Sequence, residues 1–166
     1  LIEMTIRDCP TLKTIAALRG LPIGTLELSK TGVRNLGPLK GMPIRMLTVD
    51  ASPVRDLSAL SGLPLEQLRL AYLPANELRP LAKITTLRLL SIGSCSVGDW
   101  TSLSGLPLAR LLLDHVDIQD LSPLKSMPLE SLYIVFSTRL VDVKPLRSMT
   151  SLKDLSIQYC DLADLS

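Results

Sequence analysis

Apolar positions recur along this chain in one short figure: an apolar residue, two variable residues, a second apolar residue, one variable residue and a third. The leading residue falls at Leu1, Ile23, Ile44, Leu65, Leu87, Leu108, Leu129 and Leu152, with steps of 22, 21, 21, 22, 21, 21 and 23. The second is Met4, Leu26, Leu47, Leu68, Leu90, Leu111, Leu132 or Leu155, and the third is Ile6, Leu28, Val49, Leu70, Ile92, Leu113, Ile134 or Ile157. Alternation of this kind predicts a short strand with one buried face. Self-similarity at a fixed step marks a stack of like units. About eight such strands therefore predict a parallel sheet in which each strand pairs with the next.

The second half of each unit returns the chain. Val33, Val54, Val97, Ile118 and Leu162 follow the strand and are expected to turn inward. Then come Leu36-Gly-Pro-Leu39, Leu57-Ser-Ala-Leu60, Leu121-Ser-Pro-Leu124 and Val143-Lys-Pro-Leu146. Apolar residues three apart suit a single 3₁₀ turn, in which positions i and i+3 eclipse. Proline fits its first positions, where no backbone donor is required. The pairs Leu21-Pro22, Met42-Pro43, Leu63-Pro64, Leu106-Pro107 and Met127-Pro128 hold the next stretch extended. So short a return leaves no room for a full α-helix.

Composition narrows the picture. Apolar residues make up 46% of the 166 but aromatics only 3%, so the core is aliphatic and suits thin layers. The net charge of +2 is spread along the chain with no basic run, which gives no electrostatic footprint for nucleic acid. No apolar run reaches the length of a membrane span. The chain opens and closes inside a repeat, without an initiator Met or a signal-peptide pattern. The expectation is one repeat domain over residues 1–166, a piece of a longer protein whose other domains are partners of this one.

The consensus Leu-x-x-Leu-x-Leu, then Thr, Ser or Cys, then Val or Ile, then Asp-Leu-Ser-Pro-Leu and Met-Pro, resembles the leucine-rich repeat, and most closely the short internalin-like class of bacterial repeats. The Met-Pro-Leu form is similar to repeats in large bacterial multidomain proteins, including planctomycete proteins that carry kinase domains. The resemblance covers essentially the whole chain. It implies an α/β solenoid, mostly β with short 3₁₀ or irregular convex turns, wound as a right-handed horseshoe with a concave parallel sheet. It also implies protein recognition. One slot departs from the family's pattern: where most members carry Asn, this chain has Cys9, Thr31, Ser52, Leu73, Cys95, Val116 or Cys160. Weaker Thr, Ser and Cys contacts, or packing, must replace the asparagine ladder.

Three constellations invite a chemical reading. Cys9, Cys95 and Cys160 share that one inward slot, three or more strands apart at about 4.8 Å per strand, too far for a disulfide. They are expected to be buried free thiols acting as small hydrophobes, with no metal. The acidic column Asp56, Glu77, Asp99, Asp120, Asp142 and Asp164 precedes the short turns, where a carboxylate can accept from free backbone donors. A calcium ladder is the rival reading, but the glycine-rich nonapeptide of calcium-binding solenoids is absent. The single histidine, His115, neighbours Asp114, yet no nucleophile turn accompanies it, and no glycine loop cradles phosphate. No catalysis and no cofactor are expected.

What remains is the outward face of the sheet. Its first half is polar and mixed in charge. In its second half Leu112, Tyr133, Val135, Phe136 and Tyr159 are expected side by side, with Arg110 and His115 nearby and Tyr72 on the same face. Exposed aromatic and aliphatic clusters mark interaction sites, and Tyr and Arg are favoured anchors. The expected function is binding of a protein partner through this face. A covering C-terminal segment is the plainer explanation of the patch. The alternatives are a structural or regulatory arm of a larger protein, for example a bacterial kinase, and an extracellular adhesion module. Free thiols fit either compartment and lean slightly to the cytoplasm.

Overall fold

In the computed structural model, which describes residues 1–162, eight strands form one parallel sheet in chain order. They are β1 (Ile2–Cys9), β2 (Ile23–Thr31), β3 (Met46–Asp50), β4 (Gln67–Ala71), β5 (Leu89–Gly93), β6 (Arg110–Asp114), β7 (Ser131–Val135) and β8 (Asp154–Gln158). The register follows the apolar figure: Leu26 faces Leu47, Leu68 faces Leu90, and Leu113 faces Ile134. Its one shift lies between Ile2 and Glu3, at the start of the edge strand β1. A slip by one residue elsewhere would turn the strand leucines to solvent, so the burial of one face fixes the pairing.

Between strands the chain makes 3₁₀ turns at Ala16–Leu18, Gly37–Leu39, Ser58–Leu60, Arg79–Lys83, Thr101–Leu103, Ser122–Leu124 and Lys144–Ser148. The two long turns lie in the two units that carry Thr where the others have Pro before the next strand. The turn residues Leu39, Leu60, Leu81, Leu103 and Leu124 are fully buried and meet the strand leucines in one aliphatic core. Each such leucine removed from water contributes about 2 kcal/mol, and its neighbours are chiefly the coils before and after. Trp100, which takes a turn leucine's place, is buried with its indole N–H unpartnered.

The acidic column caps these turns. Asp56 Oδ1 accepts from the Ser58 backbone N–H at 2.7 Å, Asp99 from Thr101 at 2.9 Å, Asp120 from Ser122 at 2.6 Å and Asp142 from Lys144 at 2.9 Å. Asn35 does the same for Gly37 at 2.7 Å. A short side chain two residues before a free donor satisfies it without leaving the backbone. These bonds, from the Ser58 backbone and hydroxyl for Asp56 and from the Thr101 hydroxyl and backbone for Asp99, hold both carboxyls below the usual range. Among the described residues Glu77, one methylene longer, makes no such bond, and Asp164 lies outside them.

The slot that departs from asparagine is filled as the residue types allow. Thr31 Oγ1 and Ser52 Oγ lie 2.9 Å apart, the Thr31 N–H donates to Ser52 Oγ, and Ser52 Oγ donates to the Asp50 carbonyl. With the Ser52 proton so used, the Thr31 hydroxyl is the donor of that pair. Cys95 Sγ donates to the Gly93 carbonyl at 3.3 Å, two residues back as in Ser52. Leu73 and Val116 pack instead. The expectation of three buried thiols is corrected at the ends of the stack: Cys95 is buried, but Cys9 is exposed and Cys160 half-buried. Cys9 sits on the first coil and Cys160 on the last described one, so each has a neighbouring coil on one side only.

Candidate functional site

The outward face is built in rows, because parallel strands in register place equivalent residues side by side. The central row runs Thr5, Glu27, Thr48, Arg69, Ser91, Leu112, Tyr133, Ser156. A second row, nearer the strand ends, runs Arg7, Ser29, Asp50, Ala71, Gly93, Asp114, Val135, Gln158. The central row changes character half-way.

Over β1 to β3 the face is a charged network. Arg7 donates to both oxygens of Glu27 at 2.6 Å, and Ser29 Oγ donates to Glu27 at 2.8 Å. The Arg7 bonds hold the Glu27 carboxyl below its ordinary range, with Arg69 acting in the same sense. Lys30 reaches Asp8 at 3.4 Å. This half is polar and paired by ion pairs between β1 and β2, although Asp50 Oδ1 on β3 is buried with no hydrogen-bond partner among the described residues.

Over β6 and β7 the central row becomes apolar. Leu112 and Tyr133 are registered neighbours, and both are about one-third exposed. Arg110 precedes Leu112 on the same strand and is exposed, whereas Val135 is half-buried.

A third row stands just past the strand ends from β3 to β8, and one residue before them in β1 and β2, and is the feature missed in the sequence. Asp8, Lys30, Ala51, Tyr72, Ser94, His115, Phe136 and Tyr159 all have positive φ, between 44° and 53°. No glycine occupies this column, so its left-handed conformation carries no glycine signature. One signal was present: the column contains no Val, Ile or Thr, the residue types for which this conformation is most strained. From β3 to β8 the shared conformation directly follows the last strand residue.

Three of these side chains form a ladder of rings. His115 and Phe136 stack with centroids 4.6 Å apart, and Phe136 and Tyr159 with centroids 4.5 Å apart and planes 7° from parallel. Asp114 orients the first rung, its Oδ1 accepting from His115 Nδ1 at 2.8 Å. Tyr72 occupies the same column two coils before His115, beyond Ser94, and makes no ring stack among the described residues. The eight residues singled out from the sequence therefore separate into groups: Arg110, Leu112, Tyr133 and Val135 on the strands, His115, Phe136 and Tyr159 in the ladder, and Tyr72 apart.

No known family model matches this sequence, and no curated protein does. Solved structures do. Internalin C2 from Listeria monocytogenes superposes with a TM-score of 0.85 at 26% identity, over 98% of this chain and 74% of that one. A second Listeria monocytogenes internalin, internalin F, aligns with a TM-score of 0.50 at 19% identity, over 92% of this chain and 66% of that one. The protein is an internalin-like leucine-rich repeat solenoid. That is the fold of a protein-interaction repeat module, with the sheet as its inner face.

Proposed function

We propose that this module binds a protein partner through the inner face from Arg110 to Tyr159, without catalysis of its own. The observation that carries the reading is the contrast across one sheet. Leu112 and Tyr133 stand exposed side by side, and the ladder His115–Phe136–Tyr159 stands beside them, while the first half of the same sheet is polar and carries ion pairs between β1 and β2. Phe136 is 43% exposed and Tyr159 68%. Stacked rings are already ordered, so little side-chain entropy is lost when a partner packs on them. Tyr and Arg are the side chains that most often anchor such contacts. Arg110 would form part of the polar rim, and Tyr72 would extend the surface along the column.

The test is capture from a lysate of the source organism on immobilised protein, with the wild type beside a Tyr133→Ser, Phe136→Ser double variant of equal melting temperature. A protein held by the wild type, lost by the double variant and cross-linked to residues between Arg110 and Tyr159 supports the reading. A partner held equally by both removes this surface from it. No specific capture by the wild type favours a structural arm instead.

A further inference from the structure

We propose that the gap at Ser94 in the ring column is the seat for one arginine side chain of the partner. This rests on the reading above and gives its chemistry.

The column runs Tyr72, Ser94, His115, Phe136, Tyr159, and the five residues share one backbone conformation, with φ from 49° to 53°. Consecutive rings stack at 4.5 to 4.6 Å. Ser94 supplies no ring, so Tyr72 and His115 are separated by two steps, about 9 Å. A planar group inserted between them would lie about 4.5 Å from each, an ordinary stacking distance. His115 uses one face on Phe136, which leaves its other face towards Ser94. The Tyr72 side chain is well exposed. By the repeat of the column the seat would be one plane wide, with the Tyr72 and His115 side chains as its walls.

Charge selects the occupant. Asp114 lies beside Gly93 in the sheet, at the corner of the gap, and its carboxylate is half-exposed. A Cβ built on Gly93 would come 3.9 Å from the Asp114 Cβ and 3.6 Å from the Ala71 Cβ, both ordinary contacts. Packing therefore does not require glycine there, and its bare backbone leaves the Ser94 side of Asp114 unscreened. Among the described residues the one ion-pair partner of Asp114 is His115. Arg69 lies on β4, two strands from Asp114, and acts on Glu27 on the far side. A guanidinium is planar, stacks on rings and keeps its edge donors free for a carboxylate. An ammonium has the charge without the plane, and a phenol has the plane without the charge.

The probe is the blocked tripeptide acetyl-Gly-Arg-Gly-amide, titrated into the protein with the Ser94 and His115 backbone amides followed by NMR. The same peptides with Lys or Tyr at the centre serve as controls. The arginine peptide is expected to shift those amides saturably and at least threefold more tightly than either control. Ser94→Phe is expected to fold, because Phe136 holds a Phe at the same φ, and to abolish the response by completing the ladder. Should it misfold, Ser94→Tyr is the second variant, since Tyr72 and Tyr159 hold that side chain at the same φ. Asp114→Asn is expected to weaken binding at least threefold. No saturable shift, equal binding of the Tyr peptide, or an undiminished response in a folded ring variant overturns the seat. If the partner of the capture experiment is lost in the Tyr133→Ser, Phe136→Ser variant but retained by Ser94→Phe, the seat falls and the binding face stands. If the wild type captures nothing, the binding face falls and the titration alone decides the seat.

Discussion

Phe136 and Tyr159 lie on successive coils with ring centroids 4.5 Å apart and planes 7° from parallel. That spacing is close to the distance between neighbouring strands. The sheet, whose pitch is set by backbone hydrogen bonds, thus fixes the separation of the two rings. The ladder is a side-chain copy of the strand repeat, and its order depends on the coils beneath it.

Replacing Leu113 with Asp tests that dependence. Leu113 is 1% exposed and faces Ile92 and Ile134 across two pairings. An unpaired carboxylate between two layers costs more than about 4 kcal/mol. Hydrogen exchange should show lost protection from β5 to β7 before β2, because each coil leans on its neighbours. An unchanged melting curve would refute the register.

Ser52→Ala should destabilise the protein by about 1–3 kcal/mol in chemical denaturation, because it leaves the buried Thr31 N–H without an acceptor. Thr31→Val, which keeps that donor paired with Ser52 and, among backbone donors, frees only the Val33 N–H from its longer 3.4 Å bond, should cost less. Equal losses would mean that packing, rather than the hydrogen bond, fills the slot.

Cys95→Ala should leave the fold intact at a loss of about 1 kcal/mol. Burial raises the Cys95 thiol above its ordinary range. The unfolded thiol ionises near pH 8.5, so the stability tied to this proton is complete below that pH and declines as pH rises towards the folded value. Wild-type melting temperature should therefore fall more than that of Cys95→Ala between pH 7 and pH 10. Thiol reagents should label Cys9 in the folded protein and Cys95 only on unfolding. Parallel alkaline profiles for the two proteins would contradict the buried thiol.

Asp56→Ala should lower the melting temperature at neutral pH, whereas Asp56→Asn should recover only part of the loss, since its amide oxygen can cap as Asn35 caps Gly37 but its amide nitrogen cannot accept from the Ser58 hydroxyl. The Asp56 carboxyl is held below its ordinary range by the Ser58 donors. Its contribution is therefore present above about pH 4 and lost as pH falls through the folded value. The difference between wild type and Asp56→Ala should shrink in acid. A difference undiminished at pH 2 would assign the effect to something other than the ionised cap.

Almost all of the fold could be read from Leu, Ile and Pro. The strand register, the 3₁₀ turns and the caps follow from where Leu26, Leu39 and Asp56 recur, because each is a local rule repeated from coil to coil. The candidate site was legible only as a set of exposed rings. Its division into rows escaped the reading, because Phe136 directly follows Val135 and simple alternation carries the strand straight through it. The left-handed turn at that point is imposed by the path into the next coil, and no glycine or asparagine announces it. The thiols at Cys9 and Cys160 were misjudged for a related reason: a slot is buried by its neighbours, and periodicity does not count them.

The column of positive φ has a bearing on how such a surface can be rewritten. Asp, Lys, Ala, Tyr, Ser, His and Phe all occupy the same backbone conformation there, and none of the eight side chains reaches the core. Residues of these types can be exchanged at these sockets at little cost to folding, while a β-branched one or proline is refused by the backbone itself. Selectivity and stability are thus written in separate alphabets on the same coil, and the ring sequence can be re-spelled one turn at a time without disturbing the stack that displays it.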